Sequence, residues 1–169
     1  ITSEMNQFAE IGKNAPAKRI TIREDAYHPT ITEGGDIRIR IAGGTSPILW
    51  GTSSSAITFG GDPDTITKLS GYSFEDGDQT LLIEVEADFE AEDWFTIEPP
   101  SSSTQPLYFQ AATAVSTAGL ELWLHDASSG SYAARDDKEV TAGVRPTVSK
   151  AAFEDQDHNG NIDSLRVTF

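Results

Sequence analysis

The segment Ile37-Arg38-Ile39-Arg40-Ile41 alternates apolar and charged residues without a fault. Successive side chains of an extended strand point to opposite faces, so three isoleucines share one face and two arginines the other. A strand half buried in a sheet is the reading that this period of two dictates. Gly34-Gly35-Asp36 precedes it and Gly43-Gly44 follows it, both as breaks.

Working outward, the same period recurs. Ile20 and Ile22 alternate with Thr21 and Arg23. Leu81, Ile83 and Val85 alternate with Glu84 and Glu86 over 80–87. Leu120-Glu121-Leu122-Trp123-Leu124 alternates cleanly, which sets Trp123 opposite the leucines. Shorter candidates are Ile48–Trp50, Ala56–Phe59, Leu69–Phe74, Trp94–Ile97, Leu107–Phe109 and a last strand over 138–144. Phe89 continues the apolar pattern. Glu75-Asp76-Gly77-Asp78 has hairpin-turn chemistry, with Asp-Gly favouring positive φ. Gly60-Gly61-Asp62-Pro63-Asp64, Pro99–Ser103 and Asp126–Ser131 read as turns or loops. Residues 111–118 are rich in small side chains and fit a helix or a loop. No long helical period appears. Many short alternating segments bounded by Gly, Asp, Pro or Ser imply an all-β fold, an antiparallel sandwich.

The bulk numbers fit one good-sized domain, or one domain and a fragment of another: 169 residues, 37% hydrophobic, with 27 acids against 12 bases and a formal charge of −15. Like charge argues against nucleic acid and anionic membrane surfaces as partners. The absence of cysteine excludes disulfides, thiolate metal sites and cysteine nucleophiles. No apolar run approaches the roughly 20 residues that span a bilayer, so no membrane insertion is expected. The chain opens on Ile1 and stops at Phe169 inside a strand-like run. That suggests a processed chain or an excerpt, with room for a removed signal peptide and for a polypeptide that continues.

The densest chemistry lies at the end, in Asp155-Gln156-Asp157-His158-Asn159-Gly160-Asn161-Ile162-Asp163. Oxygen-bearing side chains recur at alternate positions, with a glycine at the sharp turn. A hard cation needs several oxygens converging from one short segment, and this is the ligand spacing of an EF-hand-type calcium loop. Asp155, Asp157, Asn159 and Asp163 are the side-chain candidates, and Asn161 the backbone-carbonyl candidate. The twelfth position, where a bidentate acid belongs, is Arg166. Neither flanking helices nor a second loop accompany it. The loop instead leads into Ser164–Phe169, an alternating strand. An acid from elsewhere would complete the ligand set, with Glu154 and the Asp136-Asp137 pair as candidates.

Three units follow from this pattern. Residues 1–17 form an arm or linker, in which Met5, Phe8 and Ile11 have helical spacing but Gly12, Asn14 and Pro16 stop any long helix. Residues 18–145 form the sandwich, closed by a break at Pro146. Residues 146–169 carry a strand near Val148, the calcium loop and a strand, as the start of a second module or a donor strand.

The runs Ile20-Thr-Ile-Arg-Glu-Asp25, Ile37–Ile41, Leu81–Phe89, Leu120-Glu-Leu122 and Asp136-Asp-Lys-Glu-Val140 resemble the repeated β-sandwich modules of very large bacterial surface and extracellular proteins. The resemblance spans roughly residues 18–143. It implies an immunoglobulin-like fold, a structural or adhesive task in a tandem array, and no catalytic residues. The terminal stretch is similar to the calcium loops of dockerins and of calcium-stapled surface modules. Together these imply a non-enzymatic, calcium-stiffened module of a filament, adhesin or layer protein at the bacterial surface or outside the cell. Its partners would be copies of itself or neighbouring modules, met by strand pairing through Ser164–Phe169 or the N-terminal arm.

Other features are weaker. Asp62-Pro63-Asp64 and Glu75–Asp78 are further acid clusters with turn chemistry. His28, His125 and His158 are too scattered to suggest zinc. Nucleophile-elbow, zincin, phosphate-loop and dinucleotide motifs are all absent. Trp50, Trp94 and Trp123 would form a glycan platform if coplanar and exposed, giving a carbohydrate-binding or scaffold-docking module of a secreted enzyme complex as the alternative. Lys18 is a candidate for an isopeptide crosslink of the kind found in such modules.

Overall fold

The structure is a computed structural model in which residues 1–43, 47–52, 57–98, 107–111, 113–124 and 132–168 are described. The expected loop at Pro99–Ser103, the turn over 126–131, His125 and Phe169 lie outside them. Strands dominate and one helical turn interrupts them, so the all-β expectation holds.

The strands are β1 (Thr2–Ser3), β2 (Gln7–Glu10), β3 (Asn14–Pro16), β4 (Ile20–Arg23), β5 (Ile37–Ala42), β6 (Ile48–Thr52) and β7 (Phe59–Gly61). The short helix α1 (Pro63–Ile66) follows. Then come β8 (Leu69–Glu75), β9 (Thr80–Val85), β10 (Trp94–Ile97), β11 (Leu107–Ala111), β12 (Ser116–Leu124), β13 (Ala134–Gly143), β14 (Lys150–Glu154) and β15 (Ser164–Thr168).

They form four sheets, ordered β2-β13-β12-β5-β9-β8, β1-β4-β10-β7, β3-β11-β6 and β14-β15. Among the described residues, all pairings are antiparallel except β2 with β13, which is parallel. Ile37–Ile41 sits inside the six-stranded sheet. Ile39 lies opposite Leu81 on one side and Leu122 on the other. Ile37, Ile39 and Ile41 are buried, and Arg38 and Arg40 only half so, as the period requires. Their inward face meets Ile20 and Ile22 of β4, Phe95 and Ile97 of β10, and Trp50 and Phe109 of β6 and β11, in one apolar cluster. Trp50 is buried to 1% exposure and donates its indole N–H to the Ile39 carbonyl at 3.1 Å, tying the three-stranded sheet to the six-stranded one.

Glu24 and the Lys68–Asp93 pair, drawn inward, find partners. The buried Glu24 carboxylate accepts the backbone N–H groups of Asp25, Thr30 and Ile31 at 2.8, 2.9 and 2.7 Å, which fixes the loop after β4. Lys68 Nζ meets Asp93 Oδ2 at 2.7 Å, with both side chains largely buried. Burial pushes the Asp93 carboxyl upward, but the Lys68 ammonium and the Glu90 N–H outweigh it and hold it below the usual aspartate range.

Several expectations change here. Residues 1–17 are not a separate arm: β1 pairs with β4, β2 with β13 and β3 with β11, all within the chain. Half of the small-residue run 111–118 is extended, Ala111 closing β11 and Ser116–Ala118 opening β12. Ser116 and Ala118 are buried beside β13. The strand expected over 56–59 is displaced to Phe59–Gly61. Gly61 has φ +114°, and a Cβ there would lie 2.8 Å from the Phe95 Cα, so no larger residue would sit there without strain. The last body strand begins four residues earlier than expected, at Ala134 rather than Lys138.

Trp50→Ala removes a fully buried indole and its hydrogen bond, and should lower unfolding free energy by about 3–5 kcal/mol in urea titration. Phe153→Ser, on the exposed β14, should shift the same transition by no more than about 0.5 kcal/mol. The depressed Asp93 carboxyl stabilises the fold above the carboxyl's unfolded-state pKa, and that contribution is lost as pH falls through the lower folded value. Acid unfolding should therefore be shallower in a Lys68→Met, Asp93→Leu double variant than in the wild type, read by circular dichroism below about pH 4.

Candidate metal centre

β14 and β15 pair antiparallel, with Glu154 opposite Ser164, Phe153 opposite Leu165 and Ala151 opposite Val167. The nine residues Asp155–Asp163 connect them. A connection this long closes only if its backbone N–H groups find acceptors, and here the side chains of the loop supply them. Asp155 accepts from the N–H groups of Asn159 and Gly160, at 3.2 and 2.9 Å. Asp157 accepts the Asn159 N–H at 3.2 Å, and Asn159 Oδ1 accepts the Asn161 N–H at 2.8 Å. Asp163 Oδ2 reaches back to the Gln156 N–H at 2.7 Å, and its own N–H donates to the Glu154 carbonyl at 2.9 Å. His158 and Gly160 take positive φ, +58° and +84°, which curls the loop inward. Gly160 adopts this without strain, while His158 does so as a non-glycine residue.

This curl brings carboxylate oxygens of Asp155, Asp157 and Asp163 within 4.8 Å of one another. Two oxygens on one calcium ion, each at 2.3–2.6 Å, are at most about 5 Å apart, so the spacing fits a shared hard cation. The donors are all oxygens, which disfavours thiophilic metals. Of the five residues expected as ligands, three aspartates are thus brought together. Asn159 is turned toward the loop backbone and its Nδ2 donates to Asp157 Oδ2 at 2.7 Å. The Asn161 N–H is spent on Asn159.

The acids proposed to replace the twelfth ligand have other partners. Glu154 lies 3.7 Å from the Arg166 guanidinium, so the residue that displaced the expected acid pairs with the nearest alternative. Asp136 is buried in the body, accepting the N–H groups of Ser3 and Lys138 at 2.9 and 3.1 Å. Asp137 pairs with Lys138 at 2.7 Å.

The other clusters serve the fold. Asp62 caps α1, accepting the Asp64 N–H. Glu75 pairs with Arg38, and Asp76 accepts the Thr80 hydroxyl at 2.7 Å. Among the described residues, Asp155, Asp157 and Asp163 are the one group of three acids close enough to share an ion. His28 lies on an exposed loop beside Asp25, and Lys18 is exposed. The three tryptophans do not make a platform, because Trp50 is buried. Trp94 and Trp123 are half-buried on different sheets, and Trp123 meets Tyr132 edge to face at 6.2 Å.

One feature of the hairpin lay outside the sequence reading. Ala151, Phe153, Leu165 and Val167 share one face, and all are exposed, Phe153 by 70%. Ile162 in the loop is 65% exposed. The alternation Ala-Ala-Phe against Leu-Arg-Val was the signal that could have revealed it.

No family model matches this chain, and no curated protein or solved structure matches it either.

If the loop takes a cation through these carboxylates, calorimetric titration should give calcium binding at roughly 10⁻⁴ to 10⁻³ M, the range of extracellular modules. Asp157→Ala should weaken it by at least tenfold, while Asp137→Ala leaves it unchanged.

Proposed function

We propose that this chain is a non-enzymatic structural module of a bacterial cell-surface or extracellular filament, adhesin or layer protein, stiffened by calcium at its C-terminal hairpin. The observation that carries this reading is the hairpin. It joins a loop of cation-ligand spacing to a solvent-exposed apolar face. A two-stranded hairpin is marginally stable alone in water. Such a hairpin gains order from an ion in its loop and from a surface that covers its apolar face.

The body supports a scaffold reading. Its four-stranded sheet begins with the first strand, its six-stranded sheet contains the last body strands, and both share one core. Two sheets packed over a shared core are what the immunoglobulin-like reading draws on, with the three-stranded sheet β3-β11-β6 as an addition to that plan. The departure is in the middle, where the chain runs from β5 through β6 and β7 before it reaches β8 and β9. Calcium would be held by Asp155, Asp157 and Asp163, with Asn159 and the Asn161 carbonyl adjusting to it. The ion offsets the mutual repulsion of the aspartates and makes the loop rigid. Partners are copies of the chain or neighbouring modules. The pairing surface is β14–β15, because the three N-terminal strands are already engaged in the body.

The alternative, a carbohydrate-binding or scaffold-docking module, draws on the Trp123–Tyr132 ring pair beside Glu121, two rings rather than three.

Hydrogen exchange and sedimentation velocity test the structural reading together. Calcium should slow exchange of the amides of 150–168, and the loaded chain should self-associate as its concentration rises. A Phe153→Ser, Leu165→Ser chain should bind calcium yet stay monomeric. A chain that is monomeric at every concentration and exchanges equally with calcium or chelator would sink the proposal.

A further inference from the structure

Asn159-Gly160 is the single Asn-Gly pair in the chain, whose other asparagines precede Gln7, Ala15 and Ile162. Both residues are exposed, at the tip of the loop. A glycine after asparagine leaves the following backbone nitrogen unshielded, because no side chain stands beside it. The loop adds two features of its own. The Gly160 N–H, the proton that must leave before this nitrogen can attack, points at Asp155 Oδ2 at 2.9 Å. The Asn159 side chain is folded over its own backbone, with Oδ1 accepting the Asn161 N–H at 2.8 Å and Nδ2 donating to Asp157 Oδ2 at 2.7 Å.

We infer that Asn159 is a self-modification site, at which the metal-free loop converts its asparagine to aspartate or isoaspartate. The Gly160 nitrogen gives up its proton toward the Asp155 carboxylate and forms a bond to Asn159 Cγ. The Cγ–Nδ2 bond then breaks and the amide nitrogen leaves as ammonia, carrying a proton delivered through solvent. The resulting succinimide is opened by water at either carbonyl. The sum is asparagine plus water giving an acid plus ammonia, with no oxidant or further reactant. The N–H donated to Oδ1 by Asn161 polarises the carbonyl that is attacked, in the way that oriented donors stabilise a developing oxyanion.

The products differ in consequence. Aspartate adds a fourth carboxylate to the loop. Isoaspartate inserts a methylene into the main chain at the point where positive φ at His158 and Gly160 sets the curl. An ion engaged by Asp155 removes the acceptor of the Gly160 proton and holds the loop still, so occupancy protects the asparagine. This last step rests on the calcium reading above, whereas conversion in the metal-free chain does not.

The test is peptide mapping of the intact chain after incubation at neutral pH, with calcium or with chelator. Trypsin releases Ala151–Arg166, which contains both Asn159 and Asn161. In chelator, the amide-to-acid mass gain should accumulate at Asn159, with isoaspartate present, and at least tenfold faster than at Asn161. Asp155→Ala should slow it several-fold in chelator, and calcium should slow it several-fold in the wild type. Equal conversion at Asn159 and Asn161 overturns the site, and an undiminished rate in Asp155→Ala overturns the part given to Asp155. If conversion at Asn159 is rapid but indifferent to calcium, and calorimetry detects no calcium binding, the calcium reading fails while the modification site stands. If calcium binds and the rate is indifferent, protection by occupancy is overturned.

Discussion

The two-residue period of β5 sets the register of the six-stranded sheet. The strand lies within that sheet, with β9 on one side and β12 on the other. A slip of one residue would turn Arg38 and Arg40 into the core and the isoleucines out of it. Taking two guanidinium groups out of water is far costlier than any local gain, so register is strongly specified. The partners inherit it: Leu81 and Leu122 face inward because Ile39 does. Trp50 then couples the next layer, since its indole N–H needs an acceptor once buried and the Ile39 carbonyl supplies it.

The strong negative charge has more than one use. Part of it is structural: Glu24 anchors a loop, Asp62 caps a helix, Asp76 closes a turn and Asp136 holds the N–H groups of Ser3 and Lys138. In each case a carboxylate satisfies donors that a tight connection leaves over, and charged acceptors make stronger hydrogen bonds than neutral ones. The terminal loop uses the same device, but there three carboxylates converge on one another as well as on the backbone. That convergence, within 4.8 Å, is what the other acid clusters lack among the described residues.

The hairpin differs from the body in what stabilises it. The body buries its apolar face between sheets, whereas β14–β15 presents Phe153, Leu165 and Val167 to solvent. Its order in isolation rests on ladder hydrogen bonds and on the loop network. The loop also carries the exposed Asn159-Gly160 pair at its tip. Both the apolar face of the hairpin and the Asn159-Gly160 pair are thus open to solvent.

By itself the sequence determined the strands with clean alternation, β4, β5, β9 and β12, and the loop ligand spacing, because both are encoded within a few consecutive residues. It also marked the departure at Arg166. The tertiary structure alone decided features that depend on distant partners. Residues 1–17 have mixed local preferences, and they are strands because β4, β11 and β13 offer edges to pair with. Ser116–Ala118 is extended because β12 continues beside β13. The three tryptophans look alike in sequence, yet one is buried in the core and two lie on separate sheets. The exposed face of the hairpin was present in the alternation, but alternation says only that two faces differ, and what covers each is settled by packing.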